Sequence, residues 1–156
     1  MEIPVLYEEI EINGRKFRLN KLDARTGSYM LFKFTKIITP ILKGLKIENI
    51  NDIGDIKISD LNFTEVAASI FDLPEEEFRY IQDNCLRVVE EILPAGPAKV
   101  LDKYGNFGVM DIEFDTALLM NLTIQSLVFN VKGFFAGSPL TSIMEILTTS
   151  LQNSKM

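Results

Sequence analysis

The chain has 156 residues, 47% of them hydrophobic, with 16 Lys and Arg against 22 Asp and Glu, a net charge of −6, one cysteine and no histidine. Its length suits one domain with a sizeable core, and its acidic balance excludes a nucleic-acid binder, since phosphate recognition draws on surplus cations. The absence of histidine removes His-based acid/base catalysis and most zinc or iron sites, and the lone Cys85 excludes an internal disulfide.

In chain order, the opening Met1-Glu2-Ile3-Pro4-Val5-Leu6-Tyr7 has no signal-peptide pattern, so a reducing cytoplasm is expected. Asn13-Gly14 predicts a type I′ turn that pairs Ile12 with Arg15, Glu11 with Lys16, Ile10 with Phe17 and Glu9 with Arg18. Asp23 can cap a helix running to about Lys46, with Met30, Leu31, Phe34, Ile37, Ile38, Ile41, Leu42 and Leu45 on its core face and a kink near Thr39 ahead of Pro40. Phe32 falls on the opposite, basic side and is a candidate contact.

Residues Glu48 to Asp60 read as a loop or short extended segment around Gly54, and Phe63 to Phe71 as a short helix. Asp72 and Pro74 open another helix with Glu75, Glu76 and Glu77 in its first turn, where the macrodipole favours acids. Cys85 lies near its end and reads as a small buried residue. Leu86 to Leu93 fits either the last turns of this helix or a strand, and Pro94-Ala95-Gly96-Pro97 is a break. Val100 to Phe114 predicts a second hairpin around Tyr104-Gly105-Asn106, with Asp111, Glu113 and Asp115 on its polar face. Alternating carboxylates can hold Ca²⁺ or Mg²⁺, but a solvated strand face with Asp115 as the next helix cap accounts for them, so no cofactor or metal is assigned.

The helix predicted from Asp115 to Phe135 is apolar on two sides. Ala117, Met120, Ile124, Leu127, Val128, Val131, Phe134 and Phe135 form a wide stripe, and Leu118, Leu122 and Phe129 a narrow one. One stripe suffices to dock a helix on its own core, so the narrow stripe needs a neighbouring element or another molecule, and it is expected to be a contact surface. Asn121, Gln125, Asn130 and Lys132 argue against a membrane span. Ser138-Pro139 starts a last helix whose stripe of Leu140, Ile143, Met144, Leu147 and Leu151 is a further candidate contact. The expected fold is α+β: a mainly helical single domain over 1–137 with an N-terminal hairpin, a second short hairpin, and an amphipathic C-terminal helix over 138–156.

Charge is segregated. Arg25, Lys33, Lys36, Lys43 and Lys46 occupy one acid-free segment, while Glu75 to Glu77, Asp83, Glu90 and Glu91 crowd another. Either these segments face solvent or each other, or they pair between subunits of a homo-oligomer.

Three stretches give the chain a family likeness: Lys21-Leu22-Asp23-Ala24-Arg25-Thr26-Gly27 after the hairpin strand Phe17-Arg18-Leu19-Asn20; Leu73-Pro74-Glu75-Glu76-Glu77-Phe78 opening an acidic helix; and Asn130-Val131-Lys132-Gly133-Phe134-Phe135 closing the core helix. With these the chain resembles the tail assembly chaperones of tailed bacteriophages and phage-like contractile particles of Gram-positive hosts. The resemblance implies a non-enzymatic protein of the host cytoplasm that binds the helical tape-measure protein, keeps it soluble until tail-tube protein polymerises around it, and engages neither nucleic acid nor membrane. The alternative is a structural tail or particle component acting through homotypic contacts.

Overall fold

The structure, a computed structural model, describes residues 6–33, 67, 68 and 70–135, the side chains of 133–135 excepted. The predicted helix beyond Lys33 with its kink at Pro40, the 48–60 segment and the C-terminal segment 138–156 lie outside the described residues.

The described elements are strands β1 (Tyr7–Ile12) and β2 (Arg15–Asn20), helix α1 (Ala24–Lys33), helix α2 (Glu75–Arg87), strands β3 (Val89–Leu93) and β4 (Gly96–Lys99), a 3₁₀ turn (Ile112–Phe114) and helix α3 (Thr116–Phe135). The four strands form one antiparallel sheet in the order β1-β2-β3-β4. The fold class is α+β.

The first hairpin has the predicted register, from Ile12 opposite Arg15 to Glu9 opposite Arg18. Asn13 and Gly14 take φ of 52° and 78°, the left-handed pair that a type I′ turn demands. On the outer face the Arg18 guanidinium bonds Glu9 at 3.2 Å and lies 4.9 Å from the centre of the Tyr7 ring. Asp23 caps α1 as expected, its Oδ2 accepting the Thr26 N–H at 3.0 Å, and this bond is the main reason its carboxyl sits below the usual range.

Helix α2 starts after Pro74 with no side-chain cap, so Glu75, Glu76 and Glu77 are the groups that favour its positive end. The segment after it resolves into both alternatives, helix to Arg87 and then strand from Val89. Glu90 and Glu91 therefore point to opposite faces of the sheet. Glu91, 5% exposed, accepts two bonds of 2.8 Å from Arg15 on the inner face, while Glu90 accepts one of 2.7 Å from Asn20 on the outer face. These acids do not extend the acidic face of α2; they tie β3 to β2.

The second hairpin differs in place from its prediction. It is β3–β4, turning at Pro94-Ala95, with Ile92 opposite Pro97. Proline in a ladder is confined to edge strands, and β4 is one. The predicted hairpin at 100–114 is reduced to a single bridge between Leu101 and Phe107, around a turn in which Asp102 Oδ1 accepts the N–H groups of Tyr104 and Asn106 at 2.8 and 2.9 Å. Gly108 closes that turn against the sheet: a Cβ there would lie 2.4 Å from the Lys99 carbonyl oxygen. Downstream the chain forms the 3₁₀ turn instead of a strand, with Ile112 fully buried and Met110 and Phe114 exposed. Asp115 is the expected cap of α3, accepting the Leu118 N–H at 3.0 Å.

A core cluster joins the inner sheet face (Ile12, Phe17, Leu19, Val89) to Leu86, Val100, Leu101 and Ile112 and to Leu118, Leu122 and Phe129 of α3. Leu127 of the wide stripe is buried as well, 5% exposed. Replacing Leu122 by Ala should therefore cost on the order of 2–5 kcal/mol, as Leu127→Ala should. Chemical denaturation checks this, and a Leu122→Ala cost near zero would be inconsistent with the packing.

Candidate partner-binding surface

The narrow stripe of α3 does not carry the contact surface expected of it. Leu118, Leu122 and Phe129 are 5%, 0% and 6% exposed and belong to the core cluster. The physical reason is the sheet: the neighbour that a second apolar stripe requires is the inner face of the chain's own strands. Ile124, Leu127, Val128 and Val131 of the wide stripe are buried too, while Ala117 is exposed and Met120 half-buried. Only the flank of Asn121, Gln125 and Lys132 stays partly open along the middle of the helix.

Between the stripes Thr123, Ser126 and Asn130 are buried, so each must find a hydrogen-bond partner. Thr123 Oγ1 donates to the Leu119 carbonyl at 2.8 Å. Ser126 Oγ donates to the Cys85 carbonyl at 2.9 Å, fastening α3 to α2. Asn130 Nδ2 donates to the Ser126 carbonyl at 2.9 Å, and its Oδ1 accepts the buried Leu22 N–H at 2.7 Å. This last bond fastens α3 to the corner where β2 turns into α1. Cys85 is fully buried beside Ser126, and burial pushes its thiol up to about 12.

Other surfaces hold the exposed apolar side chains. Phe32, singled out in the sequence, is 52% exposed on α1, whose outward positions also include Arg25 and Lys33. Met110 and Phe114, at 82% and 85%, are exposed to either side of Ile112. Sequence reasoning missed these two because alternation through Ile112 placed them on a strand's buried face. The positive φ of Asp111, 71°, turns the chain there, and Ile112 alone goes inward. Leu140, Ile143, Met144, Leu147 and Leu151 lie outside the described residues. Among the described residues no group of His, Cys, Asp and Glu has the arrangement of a metal site, and no helix is long and apolar enough to cross a membrane.

The first and last of the three stretches that suggested a family likeness are thus physically joined, Leu22 bonding Asn130. A family model described as phage tail assembly chaperone protein, TAC, matches residues 13–141. The chain belongs to the phage tail assembly chaperone family. No curated protein and no solved structure matches it. The match to the chaperone family runs from the hairpin turn through all of α3, and so includes both partners of the Leu22–Asn130 bond.

Two outcomes follow for this polar seam. Asn130→Ala should cost about 1–3 kcal/mol, because it strands a buried N–H, whereas Asn121→Ala on the open flank should change the unfolding midpoint little. Cys85 should resist thiol reagents in the native protein at mildly alkaline pH and react on denaturation. Fast native labelling would contradict its burial.

Proposed function

We propose that this chain binds the tape-measure protein of its phage and keeps it soluble in the host cytoplasm until tail-tube protein assembles around it, acting by contact and without catalysis. The observation that carries this reading is membership of the tail assembly chaperone family over residues 13–141. The packing of α3 is consistent with it: Leu118, Leu122 and Phe129 and the wide-stripe residues Ile124, Leu127, Val128 and Val131 are buried within the chain, which leaves contact with a partner to other positions. Leu140, Ile143, Met144, Leu147 and Leu151 supply a stripe at helical spacing, suited to gripping one face of an amphipathic helix. A long helical partner with repeated apolar faces is prone to aggregate, and covering those faces is how a contact protein keeps it in solution.

Co-expression with the tape-measure protein tests the proposal. Full-length chaperone should raise the soluble fraction of the tape-measure protein and co-purify with it. A chain ending at Gly137 should remain folded by circular dichroism yet hold less tape-measure protein in solution. A full-length chain that never solubilises it would overturn the proposal, and a truncated chain that fails to fold would make the 138–156 segment structural.

A further inference from the structure

The two edges of the sheet, β1 and β4, differ in what they leave free. Beyond β4 the Val100 N–H bonds the Val89 carbonyl at 3.0 Å, and an antiparallel ladder alternates, so the outward backbone groups of β4 are those of Pro97 and Lys99. Pro97 has no N–H to offer, and Gly108 closes on the Lys99 carbonyl. That edge is blocked. On β1 the Leu6 carbonyl accepts the Lys21 N–H at 3.0 Å, which commits the backbone groups of Leu6, Glu8, Ile10 and Ile12 to β2 and turns those of Tyr7, Glu9 and Glu11 away from the sheet. No described strand meets them.

β1 also lacks the features that guard an exposed edge, since it contains no proline or lysine and its register with β2 runs without a bulge. Its charge has one sign. Glu8, Glu9 and Glu11 stand without a cation in the strand, and Glu8 and Glu11 have no ion-pair partner among the described residues. Tyr7, Glu9 and Glu11 are exposed on the outer sheet face, while Ile10, on the inner face, is only half-buried against the core cluster.

We propose that the β1 edge takes an extended segment of another protein as an added antiparallel strand, one in which apolar residues alternate with Lys or Arg. Cations of that strand lie opposite Glu9 and Glu11 on the outer face, and its apolar side chains lie beside Ile10 on the inner face, where they complete its burial. A second copy of β1 is a poor occupant: two such edges paired antiparallel set Glu9 against Glu9 or against Glu11, and like charges directly opposite are destabilising. Strand addition does not rest on the tape-measure reading, which concerns a helical partner.

A synthetic peptide of about six residues alternating Lys and Val is the probe. Titrated into the full-length chain, it should shift the amide resonances of Tyr7, Glu9 and Glu11 and slow their hydrogen exchange, and a Glu-Val peptide should bind about tenfold or more weakly. Backbone N-methylation separates strand pairing from charge attraction. An antiparallel strand bonds β1 through the residues opposite Glu9 and Glu11, its lysines, so methylating the lysine nitrogens of the peptide backbone should abolish binding and methylating those of the valines should leave it. In the protein, Glu11→Pro removes one outward N–H and no bond to β2, and should weaken binding about tenfold with circular dichroism unchanged. Glu11→Lys, which leaves the backbone donor in place, should narrow the preference for the Lys-Val peptide. Absence of binding overturns the proposal, as does binding indifferent to which residues are methylated. So does slow exchange of the Tyr7, Glu9 and Glu11 amides in the free chain, which would mean that the chain's own residues already cover the edge.

Discussion

Helix α3 is a 20-residue segment that presents apolar side chains in nearly every direction, and such a helix is stable in water only if other parts of the protein surround it. The sheet takes the side of Leu118, Leu122 and Phe129, and α2 is fastened beside Ser126. Burial on this scale strands the polar side chains that lie between the apolar stripes. Ser126 and Asn130 meet that demand by bonding to the backbone of other elements, at the Cys85 carbonyl and the Leu22 N–H. An apolar replacement at either position would keep the shape and lose the directional bond that sets how α2 and the β2–α1 corner seat on the helix. The pair of half-buried Arg15 and buried Glu91 does a comparable job within the sheet, joining β2 to β3 through residues 76 apart in the chain.

In this tail assembly chaperone the arrangement separates scaffold from surface. The most hydrophobic segment of the described residues is consumed in holding the domain together. Among the described residues, large apolar side chains remain accessible where they sit among charges, as at Phe32 and at Met110 and Phe114. Charged surroundings keep such positions soluble while leaving them able to pair with a surface of opposite sign.

Local signals were legible in the sequence where they rest on short-range chemistry. Asn13-Gly14 specified both the turn and the register of the first hairpin, because positive φ at two successive residues leaves few alternatives. Asp23 and Asp115 identified helix starts for the same kind of reason. Strand β3 was ambiguous because it follows α2 with only Val88 between them, and β4 was hidden by Gly96 and Pro97, which read as a break yet are tolerated on an edge strand. The role of the narrow stripe on α3 was not readable at all. Its partners Phe17, Leu19 and Val89 are distant in sequence, and periodicity tells that a face is apolar without telling whether the chain itself covers it. Met110 and Phe114 were misplaced because one residue of left-handed backbone, Asp111, breaks the alternation that strand reasoning assumes.

Joined through the Asn130 side chain, α3 and the corner at Leu22 should open as one cooperative unit. Native-state hydrogen exchange of the Leu22 amide tests it most directly, since that N–H bonds to Asn130 Oδ1 and to no strand or helix partner. Leu22 should exchange only through global unfolding, with the same free energy and denaturant dependence as the slowest amides of α3. Exchange of Leu22 through a local opening, well ahead of α3, would contradict it.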